Sequence, residues 1–246
     1  MLLAVDKPSG MSSFDVIRAL RKVLGPTPMW HSGTLDPLAT GLLLVATGAD
    51  TKKLTHLIAH EKSYIATIDL SQTSDTRDTE YRLEHKQYVI SERDTKIWLI
   101  IHGQRIPAPS SEAMTQAINR IHGTIELVVP PFCAKKIGGI KMYDAARSGH
   151  PMYKLEQMSI LHIEILSYDF PLIQIKCRVG SWCYIRSIAH HLWDMLTTGG
   201  IITQLRRTSI DQYHIENYIL DREVIRDEKK VLFSEITFVQ EIKKSD

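Results

Sequence analysis

Residues 31–41 read HSGTLDPLATG and hold a single acid, Asp36, between two glycines and next to a proline. Leu35 and Leu38 flank that acid, whereas a surface loop more usually carries several polar residues. The pattern predicts a carboxylate held in a partly buried turn. Because a buried charge is costly unless something pairs with it, we expect Asp36 to have a cationic partner.

The residues before this stretch predict a strand and then a helix. The apolar run MLLAV ends at Lys7-Pro8-Ser9-Gly10, which indicates a strand that runs into a turn. Ser12, with Asp15 three residues later, is typical of a helix start. Apolar residues then recur at helical spacing until Gly25-Pro26, where we expect the helix to end.

The residues after the stretch at 31–41 predict a strand, a helix, a strand and a loop. LLLVA at 42–46 is typical of a buried strand, and ADTKKLTHLIAH at 49–60 of a short helix. Tyr64 begins an alternating apolar pattern that runs to residue 70 and places it on one face of a strand. Residues 71–82 are polar and lack periodicity, so they predict a loop.

The second half of the chain mixes helices and strands without regular alternation. A helix is expected from Ser110 to Ile121, and a Gly-Gly turn with a short helix within 132–149. Apolar strands are expected within 158–180, followed by a helix that ends at Gly199-Gly200. This irregular order favours an α+β domain with a mixed sheet.

Composition excludes several classes of protein. The chain has 246 residues, 43% hydrophobic and 24% charged, as in an ordinary soluble globular protein. It has neither the long apolar run of a membrane helix nor the N-terminal pattern of a secretory signal. Three cysteines (Cys133, Cys177 and Cys183) lack metal-ligand spacing, and we expect reduced thiols in a cytoplasmic protein. The net charge of +2 is too small to indicate a polyanionic partner by itself.

Arg186 is the candidate partner for the acid. It falls in the first turn of the last expected helix, where the helix dipole disfavours a cation. Helix stability therefore does not explain it. It is either a solvated surface arginine or a cation that keeps a carboxylate ionised, and Asp36 is the acid that needs one.

The stretch at 31–41 resembles the catalytic motif of the TruB family of tRNA pseudouridine synthases. Five further blocks resemble that family in the same order along the chain: LAVDKPSGMSS at 3–13, KSYIATI at 62–68, PPFCAKKIGGIKMYDAAR at 130–147, CYIRSIAHHL at 183–192 and LRRTSI at 205–210. The resemblance thus covers most of the chain.

The resemblance implies a pseudouridine synthase fold, with a mixed, largely antiparallel sheet flanked by helices. It implies isomerisation of uridine-55 in the T loop of tRNA, a reaction that breaks the C1′–N1 bond, turns the base and rejoins it through C5 without a cofactor. By the same resemblance Asp36 is the nucleophile, Arg186 its salt-bridge partner and Tyr64 the residue that stacks on the target base. Whether the carboxylate attacks C1′ or promotes a glycal route stays open.

The target lies in a folded RNA loop, so the enzyme must extrude the nucleotide before it reacts. The resemblance places His31 where the flipped nucleotide passes, and Tyr184 and Leu205 beside the uracil. Further contacts are expected between phosphates and the basic residues around Gly138-Gly139, namely Lys135, Lys136 and Lys141. Lys52-Lys53 and Arg206-Arg207 are other basic clusters, and for every cluster a solvated face is the alternative.

The sequence departs from the family pattern at several positions. Trp30 stands where the family commonly has a glycine, and Thr73-Ser74 and Phe132-Cys133 also differ. The stretch after Arg207 is too short for the PUA domain of many family members, since fewer than about 40 residues seldom fold alone. We therefore expect residues 1–246 to form one catalytic domain without a PUA domain, including a basic thumb-like segment at about 130–150. We expect it to act as a monomer on the tRNA T arm, with no membrane and no obligate protein partner.

Two other functions fit the same scaffold. One is a non-catalytic RNA-binding or RNA-folding protein, although a protein that only binds RNA does not require Asp36, Tyr64 and Arg186 together. The other is the same chemistry on rRNA, in a guide-RNA particle, but the chain lacks the basic tails and extensions usual in such relatives.

Overall fold

The structure is a computed structural model that describes residues 1–80, 83–85, 87–90, 97–101, 104–218 and 238–242. The helices within these residues are α1 (Ser13–Leu24), α2 (Leu54–Ala59), α3 (Ser111–Arg120), α4 (Met142–Arg147) and α5 (Ile185–Leu196), with 3-10 turns at Gly48–Lys53 and Ile215–Asn217. The strands are β1 (Leu2–Lys7), β2 (Met29–His31), β3 (Thr40–Thr47), β4 (Lys62–Asp69), β5 (Gln72–Ser74), β6 (Leu83–His85), β7 (Gln87–Ile90), β8 (Ile97–Ile101), β9 (Gln104–Pro107), β10 (Gly123–Val128), β11 (Lys136–Ile137), β12 (Ile140–Lys141), β13 (Leu155–Asp169), β14 (Leu172–Val179), β15 (Ile201–Ile210), β16 (Tyr213–His214) and β17 (Phe238–Glu241).

The chain divides into two compact units. The first contains Met1–Ile65 and the described residues from Leu205 onward, and the second contains Ala66–Gln204. Strands β4 and β15 each begin in one unit and end in the other.

The first unit buries both faces of β1 and β3, which pair antiparallel. Alternate residues of these strands, such as Val5 and Leu43, pack against Val16, Ile17 and Leu20 of α1. The residues between them, such as Leu42 and Leu44, pack on the other face against α2 and the end of β15. This alternation explains why LLLVA is continuously apolar, as in a strand covered on both sides.

Further strands extend the sheet of the first unit on either side of this pair. Strand β2 pairs antiparallel with β3, and β17 pairs antiparallel with β1. Strand β15 runs parallel to β3 where Arg206 and Arg207 lie opposite Thr40 and Gly41. The sheet is therefore mixed and mostly antiparallel, as expected.

The second unit is built on β10, β13 and β14, which pair antiparallel in that order. Buried residues alternate along β14, and α3 and α5 pack beside β13 and β10. Strands β7, β8 and β9 form a separate antiparallel sheet. Strands β11 and β12 form a two-stranded hairpin that leads into α4.

Helix α1 has its N-cap at Ser12 as predicted, with a complete capping box between Ser12 and Asp15, and its C-cap at Gly25. The helix expected at 49–60 is instead a 3-10 turn followed by α2. The loop expected at 71–82 is wrong for Gln72–Ser74, which form β5 and pair with β6. Residues 81–82 of that expectation lie outside the described part of the chain.

Across the described residues, no helix combines the length and apolarity needed to cross a lipid bilayer. The expectation of a single catalytic domain remains a prediction.

Candidate active site

The motif loop is held by hydrogen bonds that its backbone amides donate within the first unit. The amide of Ser32 donates to the carbonyl of Leu44 at 2.9 Å, and that of Leu35 to the hydroxyl of Ser13 at 2.8 Å. The amide of Ala39 donates to the carbonyl of Asp36 at 3.0 Å, which closes a turn around Pro37. Leu35 is buried and Asp36 half-buried, as the sequence predicted.

Lys7 joins the N-terminal turn to this loop. Its ammonium group is fully buried and donates to the carbonyls of Pro8 at 2.8 Å, Met11 at 2.6 Å and Pro37 at 3.1 Å. Three acceptors compensate for the lost hydration of the charge. Sequence reasoning missed this role, because lysine is the side chain least often buried.

Arg207 lies behind the motif, 1% exposed. Its Nε donates to the carbonyl of Leu42 at 2.7 Å, and its Nη2 to that of Gly33 at 3.2 Å. Gly41 has φ +102°, and a Cβ there would press on the backbone oxygen of Arg207 and lie 2.8 Å from its nitrogen. The glycine therefore allows β3 and β15 to approach closely at the end of the motif.

His31 is half-buried beside Arg207. The amide of Gly33 donates to its Nδ1 at 3.3 Å. Burial, and then the charge of Arg207, lower the pKa of His31 from 6.5 to about 4, so the ring is neutral at physiological pH. The indole of Trp30 lies parallel to it, with ring centroids 5.8 Å apart and an interplanar angle of 5°, and is 56% exposed.

Tyr64 and Leu205 are buried in the first unit, on β4 and β15. Thr40 donates its hydroxyl to the carbonyl of Leu205 at 3.4 Å, which ties β15 to the motif. Lys62, on the same strand as Tyr64, donates to the carbonyls of Ile58 and His60. Burial and then Arg207 lower the pKa of Lys62 to about 8.

Arg186 is buried in the second unit, in the first turn of α5. Its Nη1 donates to the carbonyl of Thr76 at 2.9 Å and its Nη2 to that of Phe132 at 3.0 Å. Asp78 Oδ2 lies 3.7 Å from Nη1, and both side chains are almost fully buried. The interpretation as a solvated surface arginine is therefore wrong. The pairing with Asp36 stays a prediction.

A second arginine, Arg77, lies in the turn that contacts Arg186. It has φ +64°, is buried, and donates from Nη1 to the carbonyl of Val128 at 2.9 Å. Burial and then the charge of Arg186 lower the pKa of Arg77 to about 10. The sequence did not indicate a buried role for Arg77 or Asp78, because both lie in a polar stretch typical of a surface loop.

Tyr184 immediately precedes α5 and is half-buried. Burial, and then Cys133, raise the pKa of its hydroxyl, so the group stays protonated at physiological pH. It can therefore donate a hydrogen bond or pack against a base, and carries no charge.

The basic hairpin comprises β11, β12 and the turn at Gly138-Gly139. Lys136 and Lys141 lie opposite each other in its register, and both are exposed. Both glycines have positive φ, which a two-residue hairpin turn of this hand requires. Lys135, just before the hairpin, instead bonds to Glu156, whose other oxygen accepts from Lys154 at 2.8 Å. Although burial opposes it, these lysines lower the pKa of Glu156.

The other two basic clusters differ from each other. Arg206 binds Asp6 through both terminal nitrogens, at 3.0 and 2.8 Å, so it and Arg207 are held by protein groups. Lys52 is exposed, and the side chain of Lys53 lies outside the described residues. Within the part of the chain that the structure describes, no three His, Cys, Asp or Glu side chains converge as metal ligands.

Residues 21–185 match a family described as "TruB family pseudouridylate synthase (N terminal domain)". The chain is 34% identical over 219 residues to "tRNA pseudouridine synthase B" of Chlamydia pneumoniae, which covers 89% of this chain and 86% of that protein. It is 34% identical over 216 residues to the protein of the same name from Fusobacterium nucleatum, covering 87% of this chain and 69% of that one.

Two solved structures are similar in fold. A chain of an H/ACA RNP bound to a substrate RNA containing 2′-deoxyuridine aligns with a TM-score of 0.59 at 21% identity, over 87% of this chain and 48% of that chain. A chain of a Cbf5-Nop10-Gar1 complex aligns with a TM-score of 0.59 at 22% identity, over 85% and 48%. This chain thus spans about half the length of those two.

Proposed function

The chain belongs to the TruB family of pseudouridine synthases, and on that premise we propose that it converts uridine-55 in the T loop of tRNA to pseudouridine. The observation that carries the proposal is the 34% identity to tRNA pseudouridine synthase B over 89% of the chain. That likeness spans both compact units and all the positions assigned by resemblance. The three thiols are free, which suits the cytoplasmic setting expected from the sequence.

We assign to Asp36 the carboxylate that the isomerisation requires. The C1′–N1 bond breaks, the uracil turns, and a C1′–C5 bond forms while C5 loses a proton and N1 gains one. No electron is gained or lost overall, so the substrate and the carboxylate suffice for the balance. The hydrogen-bonded turn around Pro37 supports this role, because a nucleophile must be held in place against its target.

Arg186 is proposed to form a salt bridge with that carboxylate. A guanidinium can bind a carboxylate through two nitrogens. The carbonyls of Thr76 and Phe132 orient the planar group, which supports a positioning function.

The remaining assignments concern the flipped nucleotide. Tyr64 is proposed to stack on the target base, with Tyr184 and Leu205 beside the uracil. His31 is proposed to contact the RNA as a neutral ring, in keeping with its lowered pKa. Lys136 and Lys141 are exposed and available for phosphates, and Lys135 would have to exchange its bond to Glu156 for one to RNA.

The test is to incubate purified protein with unmodified tRNA and to map pseudouridine by carbodiimide labelling and primer extension. We expect modification at position 55. Asp36→Asn should abolish it while the dissociation constant for T-arm RNA stays within about tenfold, about 1.4 kcal/mol. Glu126→Gln, at an exposed acid on β10, is the matched control and should be fully active.

Three results would contradict the proposal. RNA binding without any pseudouridine would favour the non-catalytic protein. Faster reaction on rRNA fragments than on tRNA would favour the rRNA enzyme. Clear turnover by the Asp36→Asn protein would remove Asp36 from its role.

A further inference from the structure

Trp182 has a backbone conformation that few side chains adopt. It lies in the turn between β14 and α5, with φ +65°. For a bulky L-residue this left-handed conformation is unfavourable, and glycine is the residue that adopts it without penalty. A structural turn at this position would therefore be more stable with glycine than with tryptophan.

The indole of Trp182 buries little of its surface against the rest of the protein. Trp182 is 68% exposed. A large aromatic side chain normally stabilises a protein through the area that it buries, and most of that area is here in contact with solvent. Unfavourable backbone geometry without compensating burial points to a functional reason for the residue.

The neighbours of Trp182 suggest what that function is. Tyr184 follows two residues later, and Arg186 four residues later in the first turn of α5. Tyr184 is proposed to lie beside the uracil and Arg186 to pair with Asp36, so the exposed indole lies on the same short segment as two groups of the proposed site. Bases in an RNA loop from which a nucleotide has been extruded are unpaired, and proteins commonly bind such bases by aromatic stacking.

We propose that Trp182 stacks on an unpaired base of the RNA substrate and thereby contributes to binding next to the flipped uridine. The proposal rests on the proposed function, since it takes RNA as the substrate. Trp182 is a binding residue and takes no part in the bond changes.

The test compares two glycine substitutions in the same unit. Thr197→Gly is the matched control, because Thr197 is also exposed, has φ +55° and caps the opposite end of α5, about 18 Å away along a 12-residue helix. We expect the thermal unfolding midpoint of each variant to be no lower than that of the parent, because glycine relieves the positive φ. Only Trp182→Gly should weaken T-arm hairpin binding, by about tenfold or 1.4 kcal/mol.

Two further variants separate aromatic stacking from apolar contact. Trp182→Phe keeps an aromatic face and should retain most of the affinity. Trp182→Leu keeps apolar volume without a π-system and should bind as weakly as Trp182→Gly.

The inference is overturned if Trp182→Gly binds the hairpin as tightly as Thr197→Gly does. It is also overturned if the thermal unfolding midpoint of Trp182→Gly lies well below that of the parent, since the indole would then stabilise the fold. A change in the sedimentation of the free protein would likewise overturn it, because the indole would then form an interface between copies of the protein. A parent protein that makes no pseudouridine defeats the proposed function instead. In that case the difference in affinity between the two glycine variants still tests the role of Trp182.

Discussion

Arg206 and Arg207 are adjacent residues with opposite environments, and we expect their substitutions to differ accordingly. Arg207→Met leaves the buried carbonyls of Leu42 and Gly33 without their donors, which should lower the free energy of unfolding by about 3 kcal/mol. Arg206→Met removes a partly exposed ion pair with Asp6 and should cost about 1 kcal/mol or less. Urea unfolding of both variants measures the difference. Equal losses would contradict the structural role assigned to Arg207.

His31 makes stability depend on pH in a defined direction. Its pKa is 6.5 when unfolded and about 4 when folded, so between these values the unfolded chain binds a proton that the folded chain does not. Stability is therefore lost as pH falls from about 6.5, and the full loss is reached below about 4.

We expect the free energy of unfolding of His31→Gln to fall less than that of the parent between pH 7 and pH 4.5. Urea titrations at several pH values measure both slopes. Parallel curves for His31→Gln and the parent would show that folding does not lower the pKa of His31.

Sequence reasoning at the residue scale predicted the half-buried position of Asp36 and singled out Arg186, which is buried, whereas their proposed roles stay predictions. An acid among leucines and an arginine at the wrong end of a helix are both visible in the order of residues. Lys7 and Arg77 were missed because their acceptors are backbone carbonyls, and any sequence supplies those equally. Which carbonyl faces a cation is decided only by the folded chain.

At the scale of elements, the basic hairpin provides a measurable test of RNA binding. Each lysine that contacts a phosphate releases counterions, so its removal should reduce the salt slope of binding by about 1. We expect Lys136→Gln and Lys141→Gln each to flatten the plot of log affinity against log salt by that amount.

Lys176→Gln provides the control, because Lys176 is exposed on β14 and pairs with Glu164 at 3.5 Å. Its slope should equal that of the parent. If the hairpin variants also keep the slope of the parent, the hairpin makes no contact with phosphates.

Elements were predictable where local signals agreed with one another. Helix α1 has a capping box, an apolar stripe and a terminal glycine, and it begins and ends where these indicate. The polar stretch at 71–80 suggested a surface loop, but its polar side chains form hydrogen bonds within the protein. Ser74 donates to the carbonyl of Asp78 at 2.7 Å, and Thr76 and Asp78 are buried beside Arg186. Polarity in a sequence does not reveal whether the partner is water or another residue.

At the scale of the whole molecule, the irregular order of the expected elements predicted the α+β class and the mixed sheet correctly, and the family resemblance predicted that the sheet is largely antiparallel. The division into two compact units was not predicted, because strands β4 and β15 show no composition change where one unit gives way to the other. A linker rich in glycine or proline would have been visible, but an uninterrupted strand is not.

The proposed action on the T arm of tRNA has a consequence for the size of RNA required. The affinity should come from the T arm, so a T-arm hairpin should match full-length tRNA in dissociation constant and in salt slope. Binding and initial rates across a salt series compare the two RNAs. If loss of the acceptor stem weakens binding by about tenfold, about 1.4 kcal/mol, the chain contacts that end as well.

Gly41 is the last residue of the motif and is required because no side chain fits at that position, whereas Asp36 is proposed to act in the reaction. A survey of variants sorted by activity would find both positions equally intolerant, because a side chain at 41 collides with the backbone of Arg207. Sorted by the yield of folded protein, only position 41 would stand out. Position 41 is thus constrained by the space between two strands, and position 36 by the chemistry proposed for it. A scaffold with its two parallel strands set further apart would tolerate a side chain at position 41, whereas the proposed reaction would still require the carboxylate.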